Sequence, residues 1–248
     1  MVFEKKMGLV VTLKNFYLDW LDFLFPNFCV LCNQKINRTL FSICENCLDQ
    51  IELSNDYDLN EFFHFNLFKS GLISNYYAKY EFVKDGKFQT AVHYLKYNRK
   101  PKIGIQLGIE LGKDLLKQNW FKEIDLIIPV PIHRIKKMSR GYNQSDFISQ
   151  GISLVTGKTF DNRSLKRTRN TPTQTHLHLQ ERIENVKGAF KVIDVNKIKD
   201  RTILIVDDVC TTGSTVNEVA LTLLNAGAKK INLATLAFVK EKDFSLRV

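Results

Sequence analysis

The stretch TILIVDDVCTTGST (202–215) constrains the fold more than any other part of the chain. Its first residues are apolar and largely β-branched, the composition of a strand buried on both faces. Two adjacent aspartates follow, Asp207 and Asp208. Past Val209 and Cys210 comes the run Thr211, Thr212, Gly213, Ser214 and Thr215, which turns into a helical pattern. A buried strand that delivers such a run to a helix places it at the ligand edge of an α/β sheet. There the backbone N–H groups, the hydroxyls and the positive end of the helix can surround a phosphate, and Gly213 permits close backbone approach. The aspartates cannot contact that phosphate favourably. They suit neutral hydroxyls beside it, as acceptors, with Mg²⁺ nearby. A phosphate and two adjacent hydroxyls held together describe a ribose 5-phosphate.

The remaining pattern supplies a sheet. ISNYYAKYEF (73–82) alternates as a strand, and two helical stretches follow at 84–97 and 102–118. From Asp125 the order is strand (DLIIPV), basic loop, helix (143–156), strand (TILIVD), helix (213–226) and strand (INLATLAF). Gly227 stands where a helix C-terminus favours positive φ. Short apolar strands alternating with helices predict an α/β fold with a mostly parallel central sheet covered on both faces. Upstream, Leu9, Leu13, Phe16, Trp20 and Phe23 recur at three- and four-residue spacing, predicting an amphipathic helix that ends near Pro26. Packing on the protein itself and contact with a partner or membrane surface both fit that face. Residues 48–70 read as an irregular, partly acidic connector. The expected organisation is an N-terminal helix (1–28), a cysteine module (29–55), a connector (56–75), the α/β domain (76–240) and a tail (241–248).

The cysteine module reads Cys29-Val-Leu-Cys32, eleven residues, Cys44-Glu-Asn-Cys47. Two C-x-x-C knuckles bring four soft thiolates around one ion at the tetrahedral angles zinc prefers. Lys35 and Arg38 can offset the negative charge left over. So short a segment cannot bury a core alone, and the metal would supply its folding energy. With every position taken by protein, such a zinc is structural. A single iron in the same ligands, or two local redox pairs, are the alternatives. Cys210 reads as an ordinary small residue.

The chain carries 36 Lys and Arg against 26 Asp and Glu, a net charge of +10. Between Pro129 and Lys191 stand 12 of those bases against 4 acids. Such an excess favours polyanions, although a solvated basic face would look the same. Lys14, Asp19 and Asp22 interrupt the apolar segment 8–25, which argues against a membrane span and a signal core. A reducing cytoplasm is the expected location, without disulfides.

DDVCTTGST, with strand and helix around it, resembles the phosphoribosyl pyrophosphate (PRPP) loop of type I phosphoribosyltransferases. In order along the chain come the cysteine knuckles, YLKY (94–97), IPVPIH (128–133), RGYNQS (140–145), LKRTRNTPTQTHL (165–177), ERIENVKGAF (181–190) and the loop. That series resembles the ComF family of competence-associated proteins, from the N-terminal helix to about Val239. The resemblance implies a type I phosphoribosyltransferase fold behind a four-cysteine zinc finger. Asp207 and Asp208 match the acidic pair that contacts the ribose hydroxyls, and Val209 and Thr211–Thr215 the 5-phosphate loop. The pyrophosphate loop would be Val130 to Arg140, with His133, Arg134, Lys137 and Arg140 at hand. A hood would run from Arg167 to Lys187, with Lys166, Arg167 and Arg169 reaching the diphosphate. The implied cofactors are Zn²⁺ and, with PRPP, Mg²⁺. The implied partners are PRPP, single-stranded DNA and the DNA-translocation machinery at the inner membrane, which the protein would meet from the cytoplasm.

Two functions follow. One is transfer of a phosphoribosyl group from PRPP to a nucleobase or similar nucleophile, linked to DNA uptake. The other is a non-catalytic module that handles single-stranded DNA and holds PRPP or a nucleotide only as a ligand. Other signals are weaker. GKT (157–159) lacks Walker spacing from Gly151 and reads as a helix end. His176 and His178 read as exposed hood residues. Tyr76, Tyr77, Tyr80 and Phe82 could stack on bases, but at strand spacing they read as sheet residues.

Overall fold

The structure, a computed structural model, describes residues 26–36, 41–170 and 184–239, together with Trp20 and Leu24. The expected N-terminal helix otherwise lies outside the described residues. So do Arg38, the middle of the hood (171–183) with His176 and His178, and the tail.

A short antiparallel ladder, β1 (Asn27–Phe28) with β2 (Lys35–Ile36), opens the described chain. It leads through α1 (Glu45–Asp49) and α2 (Asp56–Asn66) to β3 (Asn75–Glu81), α3 (Lys87–Tyr97), α4 (Pro101–Leu115) and β4 (Leu126–Pro129). Next come α5 (Arg134–Arg140), α6 (Gln144–Thr156), the ladder β5 (Leu165–Arg167) with β6 (Phe190–Val192), β7 (Thr202–Cys210), α7 (Ser214–Asn225) and β8 (Lys230–Phe238). Strands β3, β8, β7 and β4 form one sheet in that spatial order, every pairing parallel. Ile203–Val206 of β7 are completely buried, as a central strand between two helical layers requires. One core packs α2 and α7 on the sheet. The other packs α3, α4 and α6, and it includes Cys29 and Cys47. The α/β reading with a parallel sheet is borne out. Tyr76 and Tyr80 are buried core residues, and Gly227 takes φ +91° just past α7.

Three expectations are corrected. The 48–70 segment is not irregular. Asn55 accepts a bond from the Asp58 N–H and caps α2, whose Leu59 and Phe62 enter the core. The basic loop after β4 is open only from Val130 to His133, because His133 caps the short helix α5. The strand TILIVD continues through Cys210, which pairs with Phe238, so the acidic pair sits on the strand itself.

Helices α4 and α6 position the site by touching backbone to backbone. A Cβ on Gly108 would stand 2.2 Å from the Ile148 carbonyl oxygen, and one on Gly151 the same distance from that of Ile105. Gly108→Ala and Gly151→Ala are each expected to destabilise the protein by about 1–3 kcal/mol in urea unfolding. A change within experimental error would show that the helices can part without penalty.

Candidate functional site

At the end of β7 the chain makes the predicted strand-to-helix turn. Gly213 has φ +75° and is the N-cap of α7, a conformation glycine adopts without strain. A Cβ there would meet the Leu67 side chain at 2.6 Å and the Asn66 carbonyl oxygen at 3.0 Å. The end of α2 therefore braces this loop from outside, with Asn217 bonded both to Asn66 and to Ser70. Within the turn, Thr212 and Ser214 share a hydroxyl bond of 2.9 Å. Thr211–Val216 with Asp207, Val209 and Cys210 enclose a small cavity of about 90 Å³. Hydroxyls and amides line it, at the start of a three-turn helix, as an anion requires.

A larger cleft of about 210 Å³ adjoins it across Asp207 and Thr215. Its floor is the acidic pair. Asp207 Oδ1 accepts from the Ser145 hydroxyl at 3.0 Å and from the Asp208 N–H at 2.9 Å, and no described residue bonds its Oδ2. Both Asp208 oxygens have a partner: Oδ1 accepts from the Val209 N–H at 2.7 Å, and Oδ2 faces the Lys96 ammonium at 2.7 Å. Burial pushes the Asp207 carboxyl up to about 7, and the neighbouring Asp208 charge adds to this. The Asp208 N–H, the Ser145 hydroxyl and the Lys96 charge oppose it.

The opposite wall is cationic, formed by Lys136, Arg140 and Arg167. Burial lowers the Lys136 ammonium below its usual range, and the charges of Arg167 and Arg140 lower it further. Burial also lowers Arg167, with Asp207 opposing. Among the described residues no carboxylate pairs with Lys136 or Arg140; Arg140 stacks on Tyr97 at 5.3 Å. Gln144 also lines the cleft. It is 1% exposed, and its Nε2 has no hydrogen-bond partner. An orphaned buried donor beside crowded cations marks a place where an acceptor-rich, negative ligand belongs.

The four sulfurs of Cys29, Cys32, Cys44 and Cys47 lie within 4.8 Å of one another, a cluster that could hold a metal such as zinc. Burial and the surrounding thiols push Cys47 up to about 12. Burial also opposes ionisation of Cys29, but the Cys44 N–H, 3.4 Å from its sulfur, and further backbone bonds bring it down to about 6. So many thiolates cannot coexist at neutral pH without a cation among them. The module is locked to the domain by Gln106 of α4. Its Oε1 accepts from the Ser42 and Ile43 N–H groups at 3.1 and 3.0 Å, and its Nε2 donates to the Ile43 carbonyl at 2.7 Å.

The fold brings Asp207, Asp208, Val209, Thr211–Thr215, Arg140 and Arg167 to these two cavities. It does not bring Arg134, Lys166 or Arg169 there. Arg134 and Lys166 are exposed outside the lining, and the Arg169 guanidinium donates to the Glu184 and Asn185 carbonyls. Sequence reasoning missed Lys96, Lys136, Gln144 and Ser145. Three of them stand in motifs already singled out, YLKY and RGYNQS.

Residues 138–245 match the phosphoribosyl transferase domain family. The turn after β7 lies inside that match. Competence protein F of Haemophilus influenzae is 36% identical over 126 residues, 50% of this chain and 55% of that protein. DNA utilization protein YhgH of Salmonella typhimurium is 35% identical over 145 residues, 57% of this chain and 63% of that one. The matched regions span 55% and 63% of the lengths of those two relatives. A solved glutamine PRPP amidotransferase from B. subtilis overlaps 59% of this chain and 30% of its own, at 18% identity and a TM-score of 0.41. With the cysteine cluster ahead of the domain, the family match and the curated relatives bear out the ComF-type resemblance.

Proposed function

We propose that the double cavity binds PRPP and that the protein transfers its phosphoribosyl group to an acceptor nucleophile, in the service of DNA uptake during natural competence. One observation carries this reading: two anion-receiving pockets flank a single acidic pair. PRPP has the matching order of groups, with a 5-phosphate, a ribose carrying two hydroxyls, and a diphosphate. Thr211–Thr215 take the 5-phosphate, Asp207 and Asp208 accept from the ribose hydroxyls, and Lys136, Arg140 and Arg167 hold the diphosphate. The Gln144 amide donates to a ligand oxygen. The bond from the anomeric carbon to the diphosphate oxygen breaks with its electron pair leaving on pyrophosphate, and the acceptor forms the new bond to that carbon. The protein contributes positioning and charge rather than a nucleophile. Mg²⁺ fits at Asp207, whose Oδ2 has no described partner; when bound, it would offset the diphosphate charge.

We read the four cysteines as the ligands of one structural Zn²⁺. The DNA link rests on similarity to Competence protein F and DNA utilization protein YhgH. Among the described residues no helix is long and apolar enough to cross a membrane. A place in the cytoplasm, at the inner-membrane DNA-translocation machinery, belongs to the same proposal.

Titration calorimetry of PRPP into the protein, with and without Mg²⁺, is the test. Magnesium-dependent heat from a single site supports the reading, and its absence under both conditions overturns it. A second reading, a single-stranded-DNA module that holds PRPP only as a ligand, is favoured by the basic cleft wall and by Arg134 and Lys166 exposed nearby. It requires DNA affinity that falls steeply with salt. A flat filter-binding titration would exclude it.

A further inference from the structure

Lys96 forms an ion pair with the acidic pair, through Asp208. It projects from the last turn of α3, where the helix dipole favours an ammonium. That end of the helix is held by the cleft's own surroundings. The Tyr142 hydroxyl donates to the Leu95 carbonyl, and Arg140 stacks on Tyr97. From this fixed base the ammonium reaches Asp208 Oδ2 at 2.7 Å, with side-chain exposures of 24% and 13%. Oδ1 of Asp208 is already taken by the Val209 N–H. In the ligand-free protein, then, each Asp208 oxygen already has one partner, and a cation approaching Oδ2 must compete with the Lys96 ammonium.

We propose that Lys96 is a built-in counter-cation: it occupies the cation position on Asp208 in the empty site, so that a divalent metal at Asp207 gains the second carboxylate only when a polyanionic ligand draws the ammonium away. Lys96 itself lines the cleft together with Lys136 and Arg140, so a bound diphosphate gives it a competing anion to move to. The second half of this statement rests on the PRPP reading. The first half does not. Lys96 is a positioning residue in this account, acting through Asp208.

The test is a titration of Mn²⁺, followed by its electron paramagnetic resonance, into full-length protein with its cysteine-site metal in place and no PRPP. Lys96→Ala is expected to bind Mn²⁺ about tenfold or more tightly than wild type, because one positive charge no longer competes for the carboxylate. Lys96→Arg should restore the weak wild-type affinity, and Lys96→Ala with Asp208→Asn should lose the gain. Such a gain is not what a purely structural ion pair would give, since breaking one only loosens the fold. Lys96→Ala binding Mn²⁺ no more tightly than wild type, in protein that melts cooperatively, would overturn the proposal. Absence of PRPP binding by wild type would sink the proposed function and leave the Mn²⁺ result to stand or fall by itself.

Discussion

Asp207→Asn is expected to stabilise the ligand-free, magnesium-free protein at pH 8 while weakening PRPP binding. The carboxyl titrates near 7 in the fold and near 3.8 in the unfolded chain. Between those values the native state holds a proton that the unfolded state has released. Stability from this group is therefore greatest at low pH and declines as pH rises from about 4 through 7, the reverse of a salt-bridged carboxylate. Asparagine keeps the shape and removes the charge. The advantage of the variant should grow by about 2–3 kcal/mol between pH 5 and pH 8, or several degrees in the melting midpoint. A constant difference across that range would mean that Asp207 is not strained by burial. Ligand affinity should move the other way. Ribose hydroxyls donate to the ionised carboxylate, so wild-type affinity for PRPP should strengthen as pH rises towards 7 and then level off. The double variant with Asp208→Asn should weaken PRPP by about 100-fold or more. Equal affinity in the variant would remove the acidic pair from the site. A fold that bears an internal penalty relieved by its ligand is the usual signature of a site shaped for binding.

The parts of the site that are contiguous in the chain were legible in the sequence. TILIVDDVCTTGST builds strand, acids, turn and brace-ready glycine from neighbouring residues, and local propensity settles each step. The cysteine cluster was legible for the same reason, since two knuckles need only their own spacing. The other walls of the cleft were not. Lys96, Lys136 and Ser145 arrive on three different helices, and their convergence depends on how closely α4 and α6 cross. The glycines that set that crossing, Gly104, Gly108 and Gly112, recur every fourth residue, but apolar helices carry glycine for several reasons. Charge gave the type of group without its direction. Arg169 looked like a diphosphate ligand and instead ties together the two stems of the hood. Helix α2 was hidden by its acidic first turn and by aromatic residues such as Tyr57 and Phe65 that stay exposed, which blurs the amphipathic period.

Removing the metal from the cysteine cluster is expected to destabilise the whole domain rather than the module alone. The module has two strands of two residues and a five-residue helix, too little to bury a core. Its buried residues, Cys29, Ile43, Cys47 and Ile51, nevertheless close the core under α3 and α4. If the ion is lost, four unligated sulfurs replace a cross-linked cluster, and that face of the domain opens to water. Cys47→Ser, or exhaustive chelation, should lower the melting midpoint by on the order of 10 °C or more. Gln106→Ala should reproduce part of this with the metal still bound, because it leaves two buried N–H groups and a carbonyl unpaired, at about 1–3 kcal/mol each if unrelieved. Elemental analysis of the purified protein decides the ion. One zinc per chain is expected; iron would show as visible colour, and no metal with two titratable disulfides would replace the structural site with redox pairs. The sharpest outcome concerns reach. The module touches the start of α3 through a Lys87–Gln50 hydrogen bond, and the end of the same helix carries Lys96. Metal loss should therefore weaken PRPP binding even where the protein stays folded. Unchanged affinity in the folded, metal-free protein would show that α3 holds its place on the sheet without the module.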